Sequence, residues 1–246
     1  MRPAAVVLLA GTLALVAGAA WRWPARALAP LLPPGLACER LGGTVWSGYC
    51  TGLSTGGGPL GTLQWQLRPG ALLLGRLSAR LQLDTPGGRI SADLAVRLGG
   101  RLEAGPVSAD LDLRRARLPG VPSDLGGRVV ADLPALGWAD GTLHTLTGRV
   151  EATGLVRGDA APLRLGSYEL VFEPPAAGGS PAARVQDLGG PLWVRARLAW
   201  VPPAGYLLEG EVQARDEASA ALRRELERLG PPDAQGRRRF AQEASL

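Results

Sequence analysis

The chain has no lysine and no asparagine, and Ile90 and His144 are its only isoleucine and its only histidine. All 27 basic residues are therefore arginines. The joint absence of these residue types is typical of a GC-rich coding bias, which replaces lysine by arginine without any functional demand. Apart from residues 237–239 the arginines are scattered, whereas electrostatic binding of nucleic acid requires clustered positive charge. We therefore predict no nucleic-acid partner, despite the formal net charge of +5.

Residues that carry chemistry are equally scarce. One histidine and two cysteines cannot supply the four ligands of a closed zinc site, and no G-x-S-x-G elbow offers a nucleophilic serine. The glycine-rich residues 52–61 lack a following Gly-Lys-Ser/Thr, so they predict a hairpin loop and not a phosphate cradle. Asp110 and Asp112 could share one face of a strand, but solvated surface charges explain such a pair more simply. We predict a protein without catalytic activity, metal or cofactor.

Glycine and proline, in contrast, are abundant. The 246 residues include 35 glycines and 21 prolines without a collagen period, which favours many turns over long helices. The hydrophobic share of 46% is sufficient for a core, and charged residues at 20% are too few for a disordered chain. The length favours one domain, since domains usually contain about 100–200 residues.

Residues 4–20 carry no charge and are almost all apolar. A membrane span requires about 17–25 such residues, and the core of a signal peptide about 7–15. Trp21 and Trp23 follow the run, and indole side chains prefer the membrane interface. We therefore expect a cytoplasmic start and an uncleaved transmembrane anchor within residues 1–23. Cleavage after Ala19, which completes an A-x-A pattern, is the alternative.

The segment that follows, residues 24–37, is rich in proline and predicts a linker before a folded domain at 38–246. A long domain is translocated largely regardless of its charge, and both cysteines lie beyond the anchor. These features place the domain outside the cytoplasm. The spacing of Cys38 and Cys50 around a glycine-containing turn is compatible with a disulfide that closes a hairpin, and two buried thiols are the alternative.

Beyond the linker, apolar and polar residues alternate with period two, which places every second side chain on one face of a strand. A pattern with one apolar face is typical of antiparallel sheets, because parallel sheets are covered on both faces. We predict a mainly β fold, with a large antiparallel meander that is curled into a groove or folded into a sandwich. The alternation is clearest over residues 73–83, 90–98, 107–114, 192–198 and 206–214.

Near its end the chain predicts one helix, over residues 216–229. Asp216 is a suitable N-cap, apolar residues recur every three or four positions, and Gly230 and two prolines end the segment. The apolar stripe is expected to pack on the end of the sheet. The last residues, 237–246, predict either an edge strand or a disordered tail.

Four short motifs in order, at residues 43–48, 60–69, 187–192 and 229–233, resemble the type II secretion system protein N family. Their sequences are GTVWSG, LGTLQWQLRP, DLGGPL and LGPPD. The resemblance covers nearly the whole chain. It implies a small inner-membrane protein with a short cytoplasmic start, a single anchor and a β-rich periplasmic domain.

The residues of these motifs predict folding roles. In GTVWSG, Gly43 and Gly48 permit a bulge or a close strand crossing, while Trp46 supplies a large buried surface on which Trp65 could pack. DLGGPL predicts a sharp turn between two strands, in which glycine allows positive φ. That turn is formed by Asp187, Gly189, Gly190 and Pro191.

The resemblance implies a non-enzymatic accessory component of the machine that exports folded proteins from the periplasm across the outer membrane. Its partners would be other inner-membrane components of that machine. A second hypothesis is a lipid-handling protein similar to the AsmA type, in which an anchored, curled sheet presents an apolar groove to acyl chains. An enzyme acting on envelope polymers is the weakest hypothesis, because the catalytic groups are missing.

Overall fold

The computed structural model describes residues 22–56, 58–97, 99–116, 118, 121–159, 162–174, 179–201 and 205–245. The predicted anchor lies outside these residues, apart from its last two positions. No helix among the described residues is long and apolar enough to cross a membrane. The structural account therefore concerns the domain that follows residue 21.

Thirteen antiparallel strands form a single sheet, and their order in the sheet is their order in the sequence. The predicted antiparallel meander is thus confirmed, and β1 and β13 form the two edges of an open sheet. The strands are β1 (Arg40–Gly43), β2 (Ser47–Thr55), β3 (Gly58–Arg68), β4 (Arg76–Thr85), β5 (Gly88–Arg97), β6 (Leu102–Asp112), β7 (Leu125–Ala139), β8 (Thr142–Arg157), β9 (Leu163–Glu173), β10 (Ala182–Gly189), β11 (Leu192–Val201), β12 (Gly205–Ala214) and β13 (Arg238–Ser245).

Among the described residues, four short helices accompany the sheet. Two are 3-10 helices, at Ala25–Leu31 and Pro69–Leu74, and two are α-helices, α1 (Leu113–Ala116) and α2 (Ala220–Glu227). The alternation over residues 73–83 predicts a strand from its first residue, but β4 begins only at Arg76. The preceding residues form the second 3-10 helix, which starts at a proline and ends at Gly75 with φ of 68°.

The register of the strands collects apolar residues into one row, which we call the apolar row. Directly paired residues of an antiparallel sheet lie on the same face, and the pairing continues without a polar member through all thirteen strands. The row consists of Leu41, Cys50, Leu63, Leu83, Ile90, Ala109, Ala131, Val150, Leu170, Val185, Ala196, Gly210 and Phe240.

The opposite face of the sheet is held by cross-strand ion pairs. Arg80 donates to Asp93 at 2.8 Å between β4 and β5, and Arg128 donates to Asp110 at 2.8 Å between β7 and β6. These hydrogen bonds hold the pKa of both carboxyl groups below their ordinary value. Each arginine is more than half exposed, so each pair contributes little free energy of folding. Together the pairs give the face a solvated, charged surface.

Two tryptophans show how the sheet curls. Trp138 lies near the end of β7 and Trp200 near the end of β11, four strands apart. Neighbouring strands are about 4.8 Å apart, so the two positions would be about 19 Å apart in a flat sheet. Their ring centroids are 5.8 Å apart in a T-shaped contact. The sheet therefore curls towards the face of Ala196, which Trp200 shares, and forms a trough and not a sandwich.

The helix α2 packs into this trough at the end opposite the tryptophans. Leu222 and Leu226 are buried against Leu192 and Val212, which lie on the same face as the apolar row. The predicted helix is too long at both ends. Its N-cap is Ser219 and not Asp216, because the Ser219 hydroxyl accepts a hydrogen bond from Leu222 N at 3.2 Å.

The residues predicted as a linker, 24–37, lie against the first strands. Pro24 bridges to Thr44, and Ala37 bridges to Ser54 at the other end of β2. Between these bridges the first 3-10 helix contacts β1 and β2, and Ala25 is 1% exposed. The segment thus covers part of the first hairpin.

A disulfide joins Cys38 to Cys50, as the sequence predicts, with a Cα–Cα distance of 5.9 Å. Cys50 belongs to the apolar row and is buried with Leu53 and Leu60, while Leu36 and Cys38 pack against this cluster. The bond therefore attaches the segment before β1 to the inner face of the trough.

Replacing both cysteines, in the double variant C38A/C50A, should lower the free energy of unfolding by about 2–3 kcal/mol, because a disulfide restricts the unfolded chain. Urea unfolding with and without a reductant measures the effect. The wild-type chain should lose this stability on reduction, whereas the double variant should be indifferent to the reductant. Equal stability of the oxidised and reduced wild-type chain would contradict the prediction.

Candidate functional site

The inner face of the trough carries the apolar row, which crosses all thirteen strands. Its central residues, such as Ile90, Ala131 and Val150, are only half-buried, because no second layer covers them among the described residues. At one end of the sheet α2 fills the trough. We call this end the helix end, and the opposite end, with Trp138 and Trp200, the tryptophan end. Between the two ends, the inner face offers an apolar surface that is open to an elongated ligand or chain.

The motif GTVWSG forms the turn between β1 and β2, at the tryptophan end. Gly43 has a φ of 86°, which favours glycine. A Cβ at Gly48 would overlap the ring of Trp65, so the glycine lets that ring lie flat on the strand. Trp65 Nε1 also donates to Val45 O at 3.0 Å. The motif thus fixes the first hairpin through the Trp65 side chain.

Trp46 belongs to the same turn and is half-buried. Its backbone carbonyl accepts a hydrogen bond from Leu67 N at 2.6 Å, near the end of β3. The structure therefore brings Gly43, Trp46, Gly48 and Trp65 together at one corner of the sheet. The folding role of these residues stays a prediction.

The motif DLGGPL forms the turn between β10 and β11, at the helix end. Gly189 and Gly190 both have positive φ, 125° and 119°. Asp187 turns its carboxylate inward, where it is 8% exposed and accepts a hydrogen bond from Arg215 Nη2 at 2.5 Å. Arg215 Nη1 donates to Gly190 O at 2.9 Å. Arg215 precedes α2, so this contact connects the turn to the segment that leads into the helix.

Tyr168 lies beside this ion pair, on β9. Burial raises the pKa of its hydroxyl to about 12, with a smaller contribution from the charge of Asp187. The hydroxyl donates to Leu165 O at 2.5 Å. The tyrosine therefore stays neutral and serves as a packing group under the turn.

The sequence offers no signal for Arg215, because it is far from Asp187 in the chain and belongs to no motif. The same holds for the contact of Trp138 with Trp200, which depends on the curl of the sheet. Alternation predicts whether each of these residues lies in a strand or in a connection. It does not predict which distant residue each one contacts. The structure alone shows that the tryptophan pair lies at one end of the trough and the Asp187–Arg215 pair at the helix end.

The groups considered for chemistry have structural partners. His144 Nε2 lies 3.1 Å from Thr142 Oγ1 and 3.1 Å from Ala139 O, in the turn between β7 and β8. Asp110 is bound by Arg128, and Asp112 accepts a hydrogen bond from Arg114 N at 3.0 Å. Among the described residues, no three His, Cys, Asp or Glu side chains are grouped so that they could hold a metal ion.

The family model described as type II secretion system (T2SS), protein N, matches residues 34–241. The chain belongs to this family. The match covers all thirteen strands except the end of β13, and it includes both turns described above. No curated protein and no solved structure matches the chain. Membership of this family suggests an accessory component of type II secretion.

We expect the variant Arg215→Ala to lower the free energy of unfolding by about 1–3 kcal/mol, because it leaves the inward carboxylate of Asp187 without its partner. Urea unfolding measures the effect. Arg228→Ala is the matched control, because Arg228 pairs with Glu225 on the exposed surface of α2 at 2.9 Å. The control should change stability by less than about 0.5 kcal/mol. Equal effects of the two substitutions would contradict the prediction.

Proposed function

We propose that this member of the type II secretion system protein N family is a non-enzymatic, membrane-anchored accessory component of the secretion machine. In this proposal, residues 4–20 span the inner membrane and the sheet lies in the periplasm. The protein assists the export of folded proteins from the periplasm across the outer membrane. Its partners are other inner-membrane components of the machine.

The family match over residues 34–241 carries this proposal. Three features of the chain support it. The apolar run at residues 4–20 has the composition of an anchor. The disulfide between Cys38 and Cys50 suits an oxidising compartment such as the periplasm. The third feature is the trough, whose inner face carries a continuous row of apolar residues that are only half-buried in its middle. We therefore propose the inner face as the working surface.

Deletion of the gene should leave folded substrates of type II secretion in the periplasm, and the wild-type chain should restore their release into the medium. Ala131→Trp fills the middle of the inner face and should fail to restore release. Asp132→Trp, at the next position on the opposite face, is the matched control and should restore it. Release is measured as the ratio of an exported enzyme in the medium to that in the periplasm, at equal abundance of each variant in an immunoblot.

Unimpaired secretion in the deletion strain would contradict a role in export. Restoration by Ala131→Trp and Asp132→Trp alike would contradict the assignment of the inner face while leaving the role in export in place. The experiment therefore distinguishes a failure of the role in export from a failure of the inner-face assignment.

A second candidate function is the binding of lipid, as in proteins of the AsmA type. The continuity of the apolar row through all thirteen strands favours it, because a surface of that length suits an acyl chain better than a compact ligand. Burial of each methylene group of such a chain contributes about 0.8 kcal/mol. The trough could then hold the tails while the head group stays in water at an end.

Mass spectrometry of lipids extracted from the purified full-length chain tests this candidate. We expect a bound phospholipid in the wild-type chain and in Asp132→Trp, and its loss in Ala131→Trp. The comparison between the two variants removes lipid that accompanies the anchor, since both variants carry the same residues 1–23. Equal lipid content in all three proteins would contradict binding in the trough.

A further inference from the structure

The tryptophan end of the sheet carries a group of exposed apolar side chains, which we call the apolar rim. Leu72 and Leu74 lie on the second 3-10 helix, between β3 and β4, and are 48% and 72% exposed. Leu77 on β4 and Val96 on β5 are cross-strand partners and lie close to this 3-10 helix. They are 41% and 39% exposed. These four large apolar residues belong to neighbouring elements at one end of the sheet, and the fold leaves all four exposed.

The described part of the chain begins beside this rim. Trp23 is 59% exposed. Its backbone carbonyl accepts a hydrogen bond from the N–H of Val45, which lies in the turn between β1 and β2. The next residue of that turn, Trp46, is bonded through its carbonyl to Leu67 N, at the end of β3. The second 3-10 helix follows β3 directly. Trp23 therefore joins the sheet at the same end, and on the neighbouring strands, as the apolar rim.

Arginines surround the rim. Arg76 and Arg97 are direct cross-strand partners, and Arg97 N donates to Arg101 O at 2.9 Å, so the three lie at one corner of the sheet. Arg97 pairs with Glu103 at 2.9 Å, whereas Arg76 and Arg101 form no ion pair with any residue that the structure describes. Arg22, beside Trp23, is likewise exposed. The corner therefore combines exposed leucine with positive charge.

We propose that the apolar rim docks on the surface of an anionic phospholipid bilayer. Leu72 and Leu74 enter the boundary between head groups and acyl chains, while Arg76 and Arg101 contact lipid phosphates. Apolar side chains flanked by arginine are the combination that binds such an interface. The position of Trp23 supports the bilayer as the occupant, because an anchor that ends there would hold the rim at the membrane. This part of the inference rests on the anchor in the proposed function.

Docking at the rim would set the orientation of the sheet on the membrane. The strands would rise from the bilayer with the tryptophan end down and α2 at the far end. The pair of Trp138 and Trp200 would then lie next to the lipid surface, and α2 would fill the trough at the far end.

The test places a fluorescent label on the rim of the full-length chain. Leu74→Cys provides a free thiol, since both native cysteines are joined, and it is labelled with an environment-sensitive dye. Leu229→Cys is the matched control, because Leu229 is also an exposed leucine, at 44%, and lies at the helix end. Both proteins are reconstituted in lipid nanodiscs that contain phosphatidylglycerol and a lipid with a spin label close to the head group, which quenches the dye at short range.

We expect a blue-shifted and quenched emission at position 74, and neither effect at position 229. Replacement of phosphatidylglycerol by phosphatidylcholine, or the added substitutions Arg76→Glu and Arg101→Glu, should relieve the quenching at position 74. Unquenched emission at position 74, as a protein partner on the rim would produce, overturns the proposal, and so does equal quenching at both positions.

Co-elution of the chain with the nanodiscs shows separately whether the anchor is inserted in the bilayer. If the chain does not co-elute with the discs, the transmembrane anchor in the proposed function is contradicted. The proposal for the rim is then decided by the same quenching measurement with nanodiscs in excess. Quenching at position 74 would still support docking, and its absence would overturn it.

Discussion

The structure depends on one constraint, which is that the apolar residues of thirteen strands stay in register across the whole sheet. A shift of one residue at any strand would turn its apolar side chains to the charged face. The ion pairs on that face, such as Arg80 with Asp93 and Arg128 with Asp110, oppose such a shift because they would lose their partners. The ion pairs of the outer face, although each is weak, thus help to keep the apolar residues of the inner face in register.

A single layer with one apolar face leaves that face incompletely buried, and the fold covers it in three ways. The curl of the sheet brings Trp138 and Trp200 together at one end. The helix α2 covers the other end. The segment before β1 covers the first strands and is attached by the disulfide of Cys50. The middle of the trough keeps its apolar surface accessible, which is the reason for assigning function to it.

Period-two alternation predicted the antiparallel meander, because alternation depends only on neighbouring residues. The cysteine pair was predicted for a similar reason, since a hairpin brings close residues together. The helix bounds were wrong, because Asp216 and Ser219 are both suitable caps and only packing selects between them. The choice between groove and sandwich depends on the curl of the sheet, and the pairing of Asp187 with Arg215 joins residues 28 positions apart in the sequence. Neither has a local signature in the sequence.

Each strand pairs only with the strand before it and the strand after it in the sequence. A chain of this topology can form its sheet progressively from the amino terminus, because no early strand has to wait for a late one. The first hairpin would form a template, and every later hairpin would extend it by two strands. The same property lets the length of the trough change by gain or loss of a hairpin, as in repeat proteins, without altering the connections that remain.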